Sequence, residues 1–206
     1  SAFAFEIQRL VPGANEIYPA IDPKFHADLF MLNFVLSAFV AERIAHRKNW
    51  PVAGWPAYIT TPVLLLAALA NLTNDHTLMG PLSWAFWLLG LTAHGVLLYR
   101  LDRRNAVGWF AWMHAMGVWV LLILLINILR YAINQADLWH TAWASVVLLS
   151  AGTVVLLLLA SLPLSKKLEG RWPFMEETRF VRSYTWLAAV PLAVIVLFGA
   201  LFVAIH

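Results

Sequence analysis

The chain of 206 residues contains no cysteine, and only 12% of its residues are charged. The first absence removes disulfide frameworks, thiolate metal centres, iron–sulfur clusters and cysteine nucleophiles together. The second removes the ordinary surface of a water-soluble domain: 62% of the residues are hydrophobic and the mean hydropathy is +0.74, so lipid must cover much of what the fold exposes. Catalytic fingerprints are also missing. No G-x-S-x-G, H-E-x-x-H, phosphate-loop or dinucleotide pattern occurs, which leaves no sequence signature for a serine hydrolase, a zincin or a nucleotide enzyme. There is no low-complexity segment and no repeat at a fixed period. Ser1–Phe5 is too short for the apolar core of a signal peptide, with Glu6 and Arg9 following at once.

What is present is six apolar stretches, Phe25–Ile44, Ala53–Leu72, Pro81–Tyr99, Val107–Leu129, Leu138–Leu162 and Tyr184–Ile205. Each is close to the ~20 residues a helix needs to cross ~30 Å of hydrocarbon. They predict an all-α, polytopic bundle of six transmembrane helices over residues 25–206. Before it lies a segment of residues 1–24 that Pro12, Gly13, Pro19 and Pro23 keep from being one continuous helix. Pro51 and Pro56 mark the entry to the second span, and Pro62 sits deeper, where it can disturb the helix. The longest connection, 163–183, is too polar to span; Phe174, Met175, Phe180 and Val181 interleave there with charged residues as an amphipathic, interfacial turn would.

The basic residues fall in every second connection. Arg43, Arg47 and Lys48 lie in the first, Arg100, Arg103 and Arg104 in the third, and Lys166, Lys167, Arg171, Arg179 and Arg182 in the fifth, whereas the second has none and the fourth only Arg130. Translocation disfavours Lys and Arg in short loops, so connections one, three and five are expected in the cytoplasm and both ends of the chain on the periplasmic side. The net charge of +3 is the sum of these clusters; it predicts a lipid bilayer as partner and no nucleic acid. Trp50, Trp55, Tyr58, Trp84, Trp87, Trp109, Trp112, Trp139, Trp143, Tyr184 and Trp186 gather near the span ends, as interfacial anchors do.

Polar side chains inside spans are costly and are functional candidates by default. His94 lies six residues before Arg100 and His114 seven after Val107, which puts both about 10 Å from one interface on consecutive antiparallel helices. Side by side, two such imidazoles can hold a metal ion or relay a proton; further apart they can clamp a haem. Gly90 and Gly117, about a turn away, would permit close approach. The ordinary alternative is that each histidine bonds a neighbouring helix. Asn127 and Arg130 stand about 220° and about 160° round the fourth helix from His114, so that helix is expected at the centre of the bundle. Arg130 is read as snorkelling or holding an anion, and Asn33 as interhelical glue. Asp28 and Glu42, at opposite ends of the first span, cannot act as a pair.

Three stretches, WAFWLLGLTAHGVLLYRLDRR (Trp84–Arg104), MHAMGVW (Met113–Trp119) and RWPF…SYTWLAAVPLAV around Arg171–Pro173 and Tyr184–Pro191, resemble a bacterial multi-pass membrane family, domain-of-unknown-function family 2339. The similarity covers most of the chain from Pro19 on. It implies a bacterial inner-membrane location and a longer parent chain with further transmembrane segments, an expectation shared by the missing initiator methionine and the close on His206 directly after an apolar run. It supplies no reaction, cofactor or catalytic residue. The sequence therefore predicts a structural or scaffolding membrane module with no assigned cofactor. The alternatives are a carrier of a small or lipidic solute using His114, Asn127 and Arg130, and a haem- or metal-binding redox protein using His94 and His114.

Overall fold

Every regular element among the described residues of the computed structural model (26–73, 81–103, 110–162, 172–173 and 181–205) is helical. Helix α1 spans His26–Arg47. A 3-10 segment, Pro51–Ile59, runs directly into α2, Thr60–Thr73. Then come α3, Pro81–Arg103, α4, Phe110–Gln135, and α5, Ala142–Ser161. A π-helical segment, Val181–Ala189, continues as α6, Val190–Ile205. The opening segment 1–24 and the amphipathic turn expected around Phe174, Met175 and Phe180 lie outside the described residues.

The helices overrun the hydropathy boundaries for a local reason. Apolar character fades at the first polar residue, but a helix ends where the chain can take a left-handed residue. Asn49 and Asp137 do so, with φ of 50° and 51°, and both residue types tolerate that conformation. Behind them Trp50 N–H closes on Ala45 O at 2.9 Å and Leu138 N–H on Ile133 O at 3.0 Å, the bonds that satisfy a last-turn carbonyl. Span one therefore reaches Arg47 and span four Gln135. Span five starts later than its apolar run because Thr141 caps it, its hydroxyl accepting from Trp143 N–H at 3.3 Å.

Prolines explain the two departures from α geometry. Pro62 has no N–H for the Tyr58 carbonyl, and the backbone before it stays 3-10 from Pro51 to Ile59, so the expected disturbance falls on its N-terminal side. Pro191 likewise cannot bond Leu187 O. The preceding turns are π-helical, and the freed carbonyl accepts from Trp119 Nε1 of α4 at 3.1 Å. A neighbouring helix thus supplies the donor the proline removed.

Contacts fix the helix directions. Asp28 meets Trp87, Met31 meets Gly90 and Glu42 meets Arg100, so α1 and α3 run parallel. Asp28 meets Asn71 while Ala45 meets Gly54, so the 3-10/α2 rod runs antiparallel to α1. A Cβ on Gly90 would stand 2.8 Å from Met31 Sδ, one on Gly152 2.9 Å from Val196, and one on Gly199 2.9 Å from Leu149. Glycine lets α1 approach α3 and α5 approach α6, the latter pair antiparallel. Gly117 has nothing within 4 Å and serves no such approach.

Five rods are long and apolar enough to cross a membrane: Ala27–Arg47, Pro51–Thr73, Ala111–Gln135, Ala142–Ser161 and Arg182–Ile205. The remaining helix, α3, is diluted by Ser83, Trp84, Trp87, His94, Tyr99, Arg100 and Asp102. It nevertheless follows α1 from Asp28 to Glu42, about 21 Å at 1.5 Å per residue. Three apolar clusters form the core. Met31, Val35, Leu64, Ala67, Ala68, Trp87, Val120 and Leu124 join α1 to α4. Leu97, Leu98, Leu101 and Met113 pack with Ala57 at one end. Leu122, Leu159, Ala188, Ala189 and Leu192 join α4 to α5 and the sixth rod. Helix α4 contributes to all three, and its Asn127 is buried.

Candidate functional site

At the N-terminal end of α1 the carboxylate of Asp28 is fully enclosed, with 0% exposure. Its Oδ1 accepts from Asn71 Nδ2 at 2.6 Å and from Trp87 Nε1 at 2.9 Å, and its Oδ2 from Ser83 Oγ at 2.6 Å. Ser83 and Trp87 are one turn apart on α3, and Asn71 lies two residues before the end of α2. One buried carboxylate thus holds three helices through three donors, which keeps its charge compensated in a medium that would otherwise exclude it. Trp87 is 2% exposed and is a hydrogen-bond donor inside the bundle, a correction to its expected place at the interface. Trp50, Trp55, Trp84, Trp112, Trp139, Trp143 and Trp186 are exposed, as interfacial rings would be.

Arg130, on α4, donates from NH1 to Leu72 O at 2.7 Å. Leu72 is in the last turn of α2, where carbonyls lack intrahelical partners and the helix carries partial negative charge. The guanidinium is a cap on a neighbouring helix rather than a free snorkelling group. Asn33 is exposed, and its amide donates to Leu29 O in its own helix at 3.1 Å; the expectation of interhelical glue is corrected, since that bond joins no second helix.

The two histidines meet different partners. His94 stands against the junction of the 3-10 segment with α2, its Nδ1 3.1 Å from Thr60 Oγ1 and its Nε2 3.3 Å from Thr61 Oγ1. Thr60 gives its only hydroxyl proton to Ala57 O at 2.9 Å, so it accepts from His94 Nδ1–H, and the bare Nε2 accepts from Thr61. Both ring nitrogens are thereby used in packing α3 on α2. His114 Nδ1 is 2.9 Å from the Tyr184 hydroxyl of the π-helical segment, and its Nε2 is 3.8 Å from Asp102 Oδ2. Trp172 Nε1 donates to that same Oδ2 at 2.9 Å. The Trp172 ring stands edge-on to Tyr99 at 5.5 Å and 6.0 Å from the His114 ring. At the same end Arg100 lies 3.8 Å from Glu42 and 4.7 Å from the Phe39 ring.

The polar groups therefore collect at the two ends of the bundle. Among the described residues no group of three or more His, Asp or Glu side chains is placed to hold a metal ion. Sequence reasoning set Asp28 aside and missed Asn71, Ser83, Thr60, Thr61, Asp102, Trp172 and Tyr184. The legible signal was depth: Asp28, Asn71, Ser83 and Trp87 all fall within two turns of one predicted interface.

No curated protein and no solved structure matches the chain. A family model described as a predicted membrane protein matches residues 13–206. With apolar helices suited to a multi-pass membrane protein and that match along nearly its whole length, the chain belongs to the DUF2339 family of predicted membrane proteins.

Proposed function

We propose that this chain is a structural module of a bacterial cytoplasmic membrane, a helical scaffold whose buried polar side chains join helices rather than handle a solute. The observation that carries this is the use of those side chains: Asp28 binds α2 and α3 to α1, His94 binds α3 to α2, Arg130 binds α4 to α2, and Trp119 binds α4 to the sixth rod. Satisfied interhelical bonds of this kind supply specificity where lipid provides no hydrophobic drive for helix pairing. Eleven basic residues in connections one, three and five against Arg130 in the fourth favour cytoplasmic placement of the former and periplasmic placement of both chain ends. The family resemblance adds further spans of a longer parent chain as natural partners. A carrier needs a water-filled path along α4. Cysteines introduced singly at Ala115, Val118, Leu122 and Ile126 test for one with a membrane-impermeant thiol reagent. The scaffold predicts no labelling at any of them, whereas reaction deep in α4, repeating every three or four residues, would favour a carrier.

A further inference from the structure

Helix α1 is strongly sided. Met31, Val35, Ala38, Glu42 and Ala45 are buried and turn to the bundle, and an exposed stripe runs along the other side. At about 100° per residue, Leu36, Val40, Arg43 and Arg47 fall within about 60° of one another on that stripe. Two exposed apolar side chains thus lead into two exposed guanidinium groups one turn apart, and exposed Lys48 follows in the turn.

The neighbouring rod sets the level of these arginines. A Cβ on Gly54 would stand 3.6 Å from that of Ala45, so the exposed rings of Trp50 and Trp55 lie level with the last two turns of α1. Arg43 and Arg47 are each two residues from Ala45, about 3 Å along the axis. Exposed tryptophans mark the headgroup layer. The guanidinium groups therefore reach lipid phosphates, while Leu36, about 10 Å further in than Arg43, faces acyl chains.

The face is positive. Both acids of α1 are buried, Asp28 among the donors of α2 and α3 and Glu42 against Arg100, and the 3-10 segment Pro51–Ile59 carries no charged residue. A zwitterionic headgroup would bring its own cation to this face; one of net negative charge would not. The last carbonyls of α1, which would repel an anion, are already occupied: Ile44 O accepts from Lys48 N–H and Ala45 O from Trp50 N–H, both at 2.9 Å.

We propose that this face of α1 binds an anionic phospholipid, its phosphate held by Arg43 and Arg47 and its acyl chains lying along Val40 and Leu36. Guanidinium forks pair with phosphate oxygens two at a time, and Lys48 adds a third positive charge at the same end. The site lies on the outside of the bundle and so holds for a scaffold and a carrier alike.

The experiment uses the whole chain, which has no native cysteine, reconstituted in phosphatidylcholine vesicles with one bimane label at Leu36→Cys. Phosphatidylglycerol or phosphatidylcholine with brominated acyl chains is added at equal mole fraction, and contact quenching gives their relative association. Phosphatidylglycerol should be preferred about fivefold, the attraction of one basic residue at a membrane surface. A label at Leu157→Cys, exposed on α5, should show no preference. Arg43→Gln with Arg47→Gln should abolish the preference at Leu36→Cys; both positions are exposed, so the exchange leaves the packing intact. Arg103→Gln, exposed at the same end of the parallel helix α3, should leave it unchanged, as should excess glycerol phosphate in the buffer. Equal quenching by the two lipids at Leu36→Cys, or the same preference at Leu157→Cys, overturns the proposal. So does a loss with Arg103→Gln as large as with the double variant, which would mean a diffuse surface charge, or a loss with glycerol phosphate, which would mean a site for free phosphate.

Discussion

Replacing Asp28 by alanine should destabilise the bundle by about 2–4 kcal/mol. The substitution strands three donors at once, Asn71 Nδ2, Ser83 Oγ and Trp87 Nε1, in a site with no access to water. The serine hydroxyl can rotate to a carbonyl of its own helix. The other two cannot, and each buried unsatisfied donor costs about 1–2 kcal/mol here, the lower half of the usual range, because the unfolded chain in a bilayer also finds partners. Loss of the buried charge relieves some desolvation cost and opposes any larger value. Asp28→Asn keeps one acceptor oxygen for Asn71 and Trp87 and forfeits only the acceptor facing Ser83, so it should cost about 1 kcal/mol. Reversible unfolding by sodium dodecyl sulfate in mixed micelles, followed by far-ultraviolet circular dichroism, measures both. An Asp28→Ala protein within about 0.5 kcal/mol of the parent, or an asparagine variant as damaged as the alanine one, would refute the reasoning.

Trp119→Phe should cost about 1 kcal/mol by orphaning Leu187 O, and the cost should shrink when Pro191→Ala restores an intrahelical donor; a double-mutant cycle on the same unfolding assay reads the coupling. Gly90→Val would press two methyl groups on the buried Met31 sulfur and should cost about 1–3 kcal/mol by overpacking, partly recovered by Met31→Ala in thermal unfolding. For the orientation, cysteines placed singly at Asn49, Asp75, Asn105, Asn134 and Gly170 are exposed to an impermeant reagent in intact cells; Asp75 and Asn134 should label, while Asn49, Asn105 and Gly170 should not.

The all-helical membrane class and the succession of six rods were legible because hydropathy and charge vary over the same length as a span. The rod that carries each of Asp28, His94 and His114 was legible as well, since each falls inside a helix that hydropathy marked. Rotation was not. A few degrees per residue, or one π-helical turn, decides which neighbour a ring faces. His94 therefore turned to Thr60 and Thr61 on α2, and His114 to Tyr184, seventy residues away in sequence. Sequence alone also ranked Asn33 with Asn127, because both are asparagines in spans; burial separates them, one exposed and bonded to its own helix, the other enclosed. The π-helical turn before Pro191 was not read from the sequence, and its consequence, a carbonyl bonded by Trp119, needed the register of α4 against the sixth rod.

If buried polar groups serve here to join helices, removing all members of one set should harm the fold less than removing one. Unfolding free energies of Asp28→Leu alone and of the full apolar set, Asp28→Leu with Asn71→Leu, Ser83→Ala and Trp87→Phe, compare the two cases directly. The account predicts that the full set recovers most of what the single change loses and comes within about 1 kcal/mol of the parent, because no donor is left unsatisfied. A full set no more stable than Asp28→Leu alone would contradict it.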